Sequence, residues 1–95
     1  MPRLTPDQVR QRLGLLEGWT LDGPVIRREF LFPGFTESLA FVNRVGTLAE
    51  SMDHHPDIAI LYNKVVLSLS THSDGGLTEK DFDLASQIDR LARAS

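Results

Sequence analysis

The chain has 95 residues, no cysteine and a formal net charge of −3. That length suits one domain with one core over residues 1–95. The absence of cysteine excludes disulfides and thiolate metal centres, and the scattered basic residues argue against a broad phosphate-binding face. No apolar run is long enough to span a bilayer, and Met1-Pro2-Arg3-Leu4 lacks the regions of a signal peptide, so a soluble, cytoplasmic chain with no membrane and no direct nucleic-acid contact is expected.

Thr5-Pro6-Asp7-Gln8 opens a first helix, with Thr5 as N-cap, Pro6 at the first helical position and Gln8 completing a capping box. Val9, Leu13 and Leu16 share its buried face. A short strand around Trp19 turns at Asp22-Gly23-Pro24. The next strand alternates Ile26, Arg28, Phe30 and Phe32 with Arg27, Glu29 and Leu31 until Pro33-Gly34 stops it. A second helix starts near Thr36, with Glu37 suited to its positive end. Phe41, Val45, Leu48 and Met52 form one stripe, and Leu39, Val42, Gly46 and Ala49 form another beside it. A stripe that wide predicts burial on two sides, the second against another subunit. Pro56 ends the helix by His54 or His55.

Ile58, Ile60 and Tyr62 then alternate with Ala59 and Leu61, and Asn63-Lys64 is read as the hairpin turn. The fourth strand runs Val65 to Thr71, with Val65, Leu67, Leu69 and Thr71 on one face and Val66, Ser68, Ser70 and His72 on the other. Thr78-Glu79-Lys80-Asp81 caps a last helix whose stripe is Phe82, Ala85, Ile88 and Leu91 or Ala92. The order αββαββα has no parallel crossover, so the fold class is α+β: a four-stranded antiparallel sheet with helices packed on one face.

The histidines carry the chemical signal. His54 and His55 are adjacent before Pro56, and His72 precedes the turn Ser73-Asp74-Gly75-Gly76. Hairpin pairing outward from Asn63-Lys64 sets His72 opposite residues 55–57, so all three meet at one edge of the sheet. Imidazole both gives and takes a proton near neutral pH, which makes this an acid/base site. Glu50, four residues before His54, would share its helical face and orient its ring; Asp81 is first a helix cap and second a site residue. Without a ligand spacing of the usual kind, no metal is expected, and proton transfer by imidazoles needs no cofactor.

The segments Ala49-Glu50-Ser51-Met52-Asp53-His54-His55-Pro56-Asp57, Tyr62-Asn63-Lys64-Val65, Ser70-Thr71-His72 and Gly76-Leu77-Thr78-Glu79-Lys80-Asp81 together resemble the pterin-4a-carbinolamine dehydratase family. The resemblance implies an αββαββα fold, a hydro-lyase that dehydrates 4a-hydroxytetrahydropterin in tetrahydropterin recycling, and assembly into homodimers or homotetramers. It implies catalytic roles for His54, His55 and His72, and supporting roles for Glu50, Asp53, Ser70, Thr71, Ser73 and Asp81 around a small-molecule pterin. One position departs from the family pattern: a tryptophan is common where Ile58 follows Asp57, so an aromatic wall on the pterin is expected to be missing. Two alternatives stay open: a non-catalytic oligomeric protein-binding or coactivator module, and a dehydratase-like enzyme for a related pterin such as a molybdopterin precursor.

Overall fold

The computed structural model describes residues 2–94. Helix α1 (Pro6–Leu13) is followed by strands β1 (Thr20–Asp22) and β2 (Val25–Leu31), helix α2 (Phe35–Met52), strands β3 (Asp57–Leu61) and β4 (Lys64–Leu69), and helix α3 (Glu79–Ala94). The capping box at Thr5 and Gln8 forms as the sequence predicts. Helix α2 starts one residue before Thr36, because Gly34 serves as its N-cap and its carbonyl accepts from both the amide and the hydroxyl of Ser38.

The strands form one antiparallel sheet in the order β1-β2-β4-β3, so the two hairpins join through β2 and β4 and leave β1 and β3 at the edges. Side chains alternate across a strand, and one face gathers Ile26, Phe30, Val65, Leu67 and Leu69, all buried. Phe41 and Val45 of α2 and Phe82, Leu84, Ala85 and Ile88 of α3 complete that core, with Val9 of α1 at its margin, and Ala49 of α2 is buried as well. Truncating one of the fully buried leucines or isoleucines to alanine costs about 2–5 kcal/mol in such a core. The opposite face carries Arg27, Glu29 and Leu31.

The far end of α3 is tied to the sheet by a buried carboxylate. Trp19 Nε1 donates to Asp89 Oδ1 at 2.9 Å, and Arg28 Nη1 donates to the same oxygen at 2.7 Å. The Arg28 guanidinium also lies 4.5 Å from the centroid of the Phe30 ring.

Three expectations need correction. The hairpin turn is Tyr62-Asn63, with Leu61 opposite Lys64, rather than Asn63-Lys64. Tyr62 takes the positive φ, at 58°, that the sequence reading gave to asparagine. A slip of two residues in pairing leaves every side chain on its own face, so the apolar alternation alone could not separate the registers. Strand β4 ends at Leu69 and not Thr71, since the chain turns into a short bridge between Thr71 and Gly76. Finally, Ala49 is buried within this chain, where α2 packs on the core, while Gly46 stays open with nothing within 4 Å of a β-carbon built there.

Candidate functional site

The site begins where α2 stops. Asp53 adopts left-handed geometry at φ 51°, Asp53 N donates to Glu50 O at 3.2 Å, and His54 N donates to Ala49 O at 3.1 Å. This reversal is a Schellman-type helix end, which asparagine or aspartate tolerates when glycine is absent. It redirects the two histidines. His54 leaves the helical path, so it does not stack over Glu50; it turns inward, is buried, and places Nε2 2.6 Å from Asp81 Oδ1. His55 swings outward instead, with Nε2 2.6 Å from Glu50 Oε2, both side chains exposed. The carboxylate expected to orient His54 therefore meets His55, and Asp81 meets His54.

The second half of the site follows β4. Thr71 N donates to Gly76 O at 3.0 Å, and between these residues a single 3₁₀ turn, His72–Asp74, ends at Gly75 with φ 73°. The backbone there is left-handed, which favours glycine. His72 sits exposed at the start of that turn and makes no side-chain hydrogen bond with the described residues. Helix α3 then opens on Thr78, whose amide donates to Asp81 Oδ2 at 2.9 Å, while its hydroxyl accepts from Lys80 N at 3.3 Å. Asp81, fully buried, caps the helix and faces His54 at once; Thr71 Oγ1 also donates to Asp81 Oδ2 at 2.9 Å.

These segments enclose a cleft of about 380 Å³ lined by Asp53, His54, His55, Ser70, Thr71, His72, Ser73 and Lys80. Seven of the residues expected from sequence line it. Glu50 and Asp81 do not: one flanks it through His55, the other stands behind His54. Lys80 also lines the cleft and was not expected from the sequence. Ile58 does not line the cleft either; it lies on the edge strand opposite Leu67. A larger groove of about 430 Å³ between α1 and the β1–β2 turn, lined by Leu4, Val9, Leu21, Pro24 and Leu77 among others, holds no histidine. All three histidines line the smaller cleft.

Among the described residues, no group of three or more histidine, cysteine or acidic side chains could hold a metal ion. Glu79 at the start of α3 receives Arg12 Nε at 3.1 and 3.2 Å. That hydrogen bond, with the guanidinium charge, holds the Glu79 carboxyl below its ordinary range and pushes Arg12 up.

Residues 2–91 match the sequence family described as pterin 4 alpha carbinolamine dehydratase. The chain belongs to that family. A relative in Roseiflexus, provisionally named a pterin-4-alpha-carbinolamine dehydratase, is 54% identical over 94% of this chain and 96% of its own length. Among solved structures, a transcriptional coactivator/pterin dehydratase from Brucella melitensis is similar with a TM-score of 0.90 and 37% identity, covering 95% of this chain and 98% of that one. A pterin dehydratase-like protein identified as a RuBisCO assembly factor in the alpha-carboxysome is similar in fold, with a TM-score of 0.65 and 24% identity over 81% of this chain and 89% of that one. For this pterin 4 alpha carbinolamine dehydratase family member, the described residues contain no helix long and apolar enough to cross a membrane.

Proposed function

We propose that the protein removes water from a 4a-hydroxytetrahydropterin, giving the quinonoid dihydropterin, through histidine acid/base catalysis in tetrahydropterin recycling. The observation that carries this reading is the convergence of His54, His55 and His72 on one cleft, with a buried carboxylate behind His54 and an exposed one on His55. The reaction breaks the C4a–O bond, and hydroxide leaves poorly unless a positioned acid protonates it. A base must take the N5 proton as the C4a=N5 double bond forms. Positioned groups of this kind contribute about 10²–10⁴-fold each. His54 and His72, which reach the cleft from different elements, form the proton-transfer pair, and His55 with Glu50 shares or positions. Backbone and side chains of Asp53, Ser70, Thr71 and Ser73 hold the heterocycle, and the step requires no cofactor.

A homo-oligomer is part of this reading. Phe35 and Leu39 of α2, together with Leu61 and Tyr62 at the end of the edge strand, are large apolar side chains left exposed, and an unpaired edge invites strand addition. The retained histidines favour an enzyme over a protein-binding module, since such a module needs the apolar surface alone. The direct test is a dehydration assay on enzymically generated 4a-hydroxytetrahydropterin. Quinonoid dihydropterin should form faster than in buffer, in proportion to protein added; a folded preparation that leaves the spontaneous rate unchanged overturns the proposal.

A further inference from the structure

We infer that Thr71 and Thr78 are positioning residues that, through Asp81, hold the ring proton of His54 on Nε2 and leave Nδ1 as its proton acceptor. The argument is a count of protons in a buried network. An ionised carboxylate only accepts, and a hydroxyl has one proton to give. Thr71 Oγ1 lies 2.9 Å from Asp81 Oδ2, so its proton goes there. The contact of 2.8 Å between the two threonine hydroxyls must then use the proton of Thr78. The Thr78 oxygen in turn accepts from Lys80 N, and Thr78 N donates to Asp81 Oδ2 at 2.9 Å. The polarity of the chain therefore runs one way, from the first turn of α3 through both hydroxyls to the carboxylate.

With two donors on Oδ2, Asp81 offers Oδ1 to His54, and Nε2 at 2.6 Å must bring the proton. The opposite tautomer would set a lone pair against a carboxylate oxygen. Thr71, Thr78, Asp81 and His54 are all buried, so solvent is poorly placed to substitute for any member. Nδ1 has no partner among the described residues, and His54 lines the cleft.

On the reading given under Proposed function, this makes His54 the base. Its Nδ1 takes the N5 proton, the N5–H electron pair closes C4a=N5, the C4a–O bond breaks, and the departing oxygen collects a proton from His72 or His55 to leave as water. That assignment rests on the proposed reaction; the tautomer does not.

The test is nitrogen-resolved NMR of the full chain with labelled histidine, alongside Thr71→Val, Thr78→Val and Thr71→Ser. Neutral His54 should show a pyrrole-like Nε2 and a pyridine-like Nδ1. Either valine variant removes a hydroxyl that fixes the Asp81 carboxylate, so Oδ1 can turn from Nε2, the tautomers should mix and kcat should fall about tenfold, with KM moved less than about twofold, and Thr71→Ser should restore both readouts. A pyridine-like Nε2 in the unmodified protein would overturn the inference, as would folded valine variants with unchanged ring signals and kcat. If the valine variants do not fold, the spectrum of the unmodified protein decides alone. The expected spectrum in a protein without dehydratase activity would support the tautomer and sink the proposed reaction.

Discussion

Replacing Asp81 by asparagine and by alanine separates what the buried carboxylate does for stability from what it does for proton transfer. Asp81 accepts from His54 Nε2, Thr71 Oγ1 and Thr78 N. In Asp81→Ala the two threonine hydroxyls share only one hydrogen bond between them, so one hydroxyl proton, the Thr78 amide and one histidine N–H remain buried without an acceptor. At about 1–3 kcal/mol for each of these orphaned donors, the loss is about 3–9 kcal/mol, a large part of the 5–15 kcal/mol, roughly, that holds a domain folded. In Asp81→Asn the amide oxygen can serve Thr71 and Thr78, and its NH₂ faces His54. Every group stays satisfied provided His54 moves its proton to Nδ1. The loss is then the difference between charged and neutral hydrogen bonds, about 1–2 kcal/mol, or about 4–8 °C in Tm for each kcal/mol. With Nδ1 as the proton acceptor proposed for His54, the rate should suffer far more, because that nitrogen is now a donor; the matching change in serine-protease triads lowers kcat about 10⁴-fold through the wrong tautomer. Thermal melts and the dehydration assay on both variants measure the split. Equal melting of the two variants, or wild-type turnover in Asp81→Asn, would refute the reasoning.

Three further outcomes are expected. His54→Ala and His72→Ala should each lower kcat by at least about tenfold, and the double variant should lose less than the product of the two; near-normal turnover in both folded single variants would remove them from the proton-transfer pair. Glu79 has its carboxyl held low by Arg12, so its contribution is fully present above the unfolded-chain carboxylate range and is lost as pH falls through the lower folded-state value. Arg12→Ala should therefore melt below the unmodified protein at neutral pH, with the gap closing in acid; a gap equal at both pH values contradicts this. Gly46→Glu meets open space in the folded chain, so it should leave the monomer's melt nearly unchanged while light scattering shows a smaller assembly; an unmodified protein that is monomeric at micromolar concentration refutes the oligomer.

The element order, the buried faces of β2 and β4, the capping box of α1 and the reach of Asp81 back to the Thr78 amide were legible because each rests on local periodicity or on a side chain that reaches only three residues. The pairing of histidines with carboxylates was not. Glu50 and His54 have the right spacing for one helix face, and that logic fails because Asp53 leaves the helix one residue before His54. An aspartate just before His-His-Pro is a usable signal for a left-handed stop, since proline forbids the helix to continue. The Asp81–His54 contact spans 27 residues and two elements, so nothing in local spacing announces it. Convergence of the cleft survived the error in hairpin register because the histidines sit beyond the ladder, on turns set by Asp53 and Gly75.

The chain's single tryptophan lies against the end of α3 remote from the cleft. Asp81 and Asp89 are eight residues apart, about 12 Å along a helix, so one helix carries the carboxylate that meets His54 near its start and the indole's acceptor further along. Burial and a hydrogen bond to a carboxylate give Trp19 an environment that only loss of the α3–sheet contact would replace with water. Its emission is thus an intrinsic optical gauge of global unfolding, insulated by distance from whatever occupies the histidine cleft. A cleft variant that loses turnover while keeping that emission has lost chemistry and kept its fold, and no added label is needed to tell the two apart.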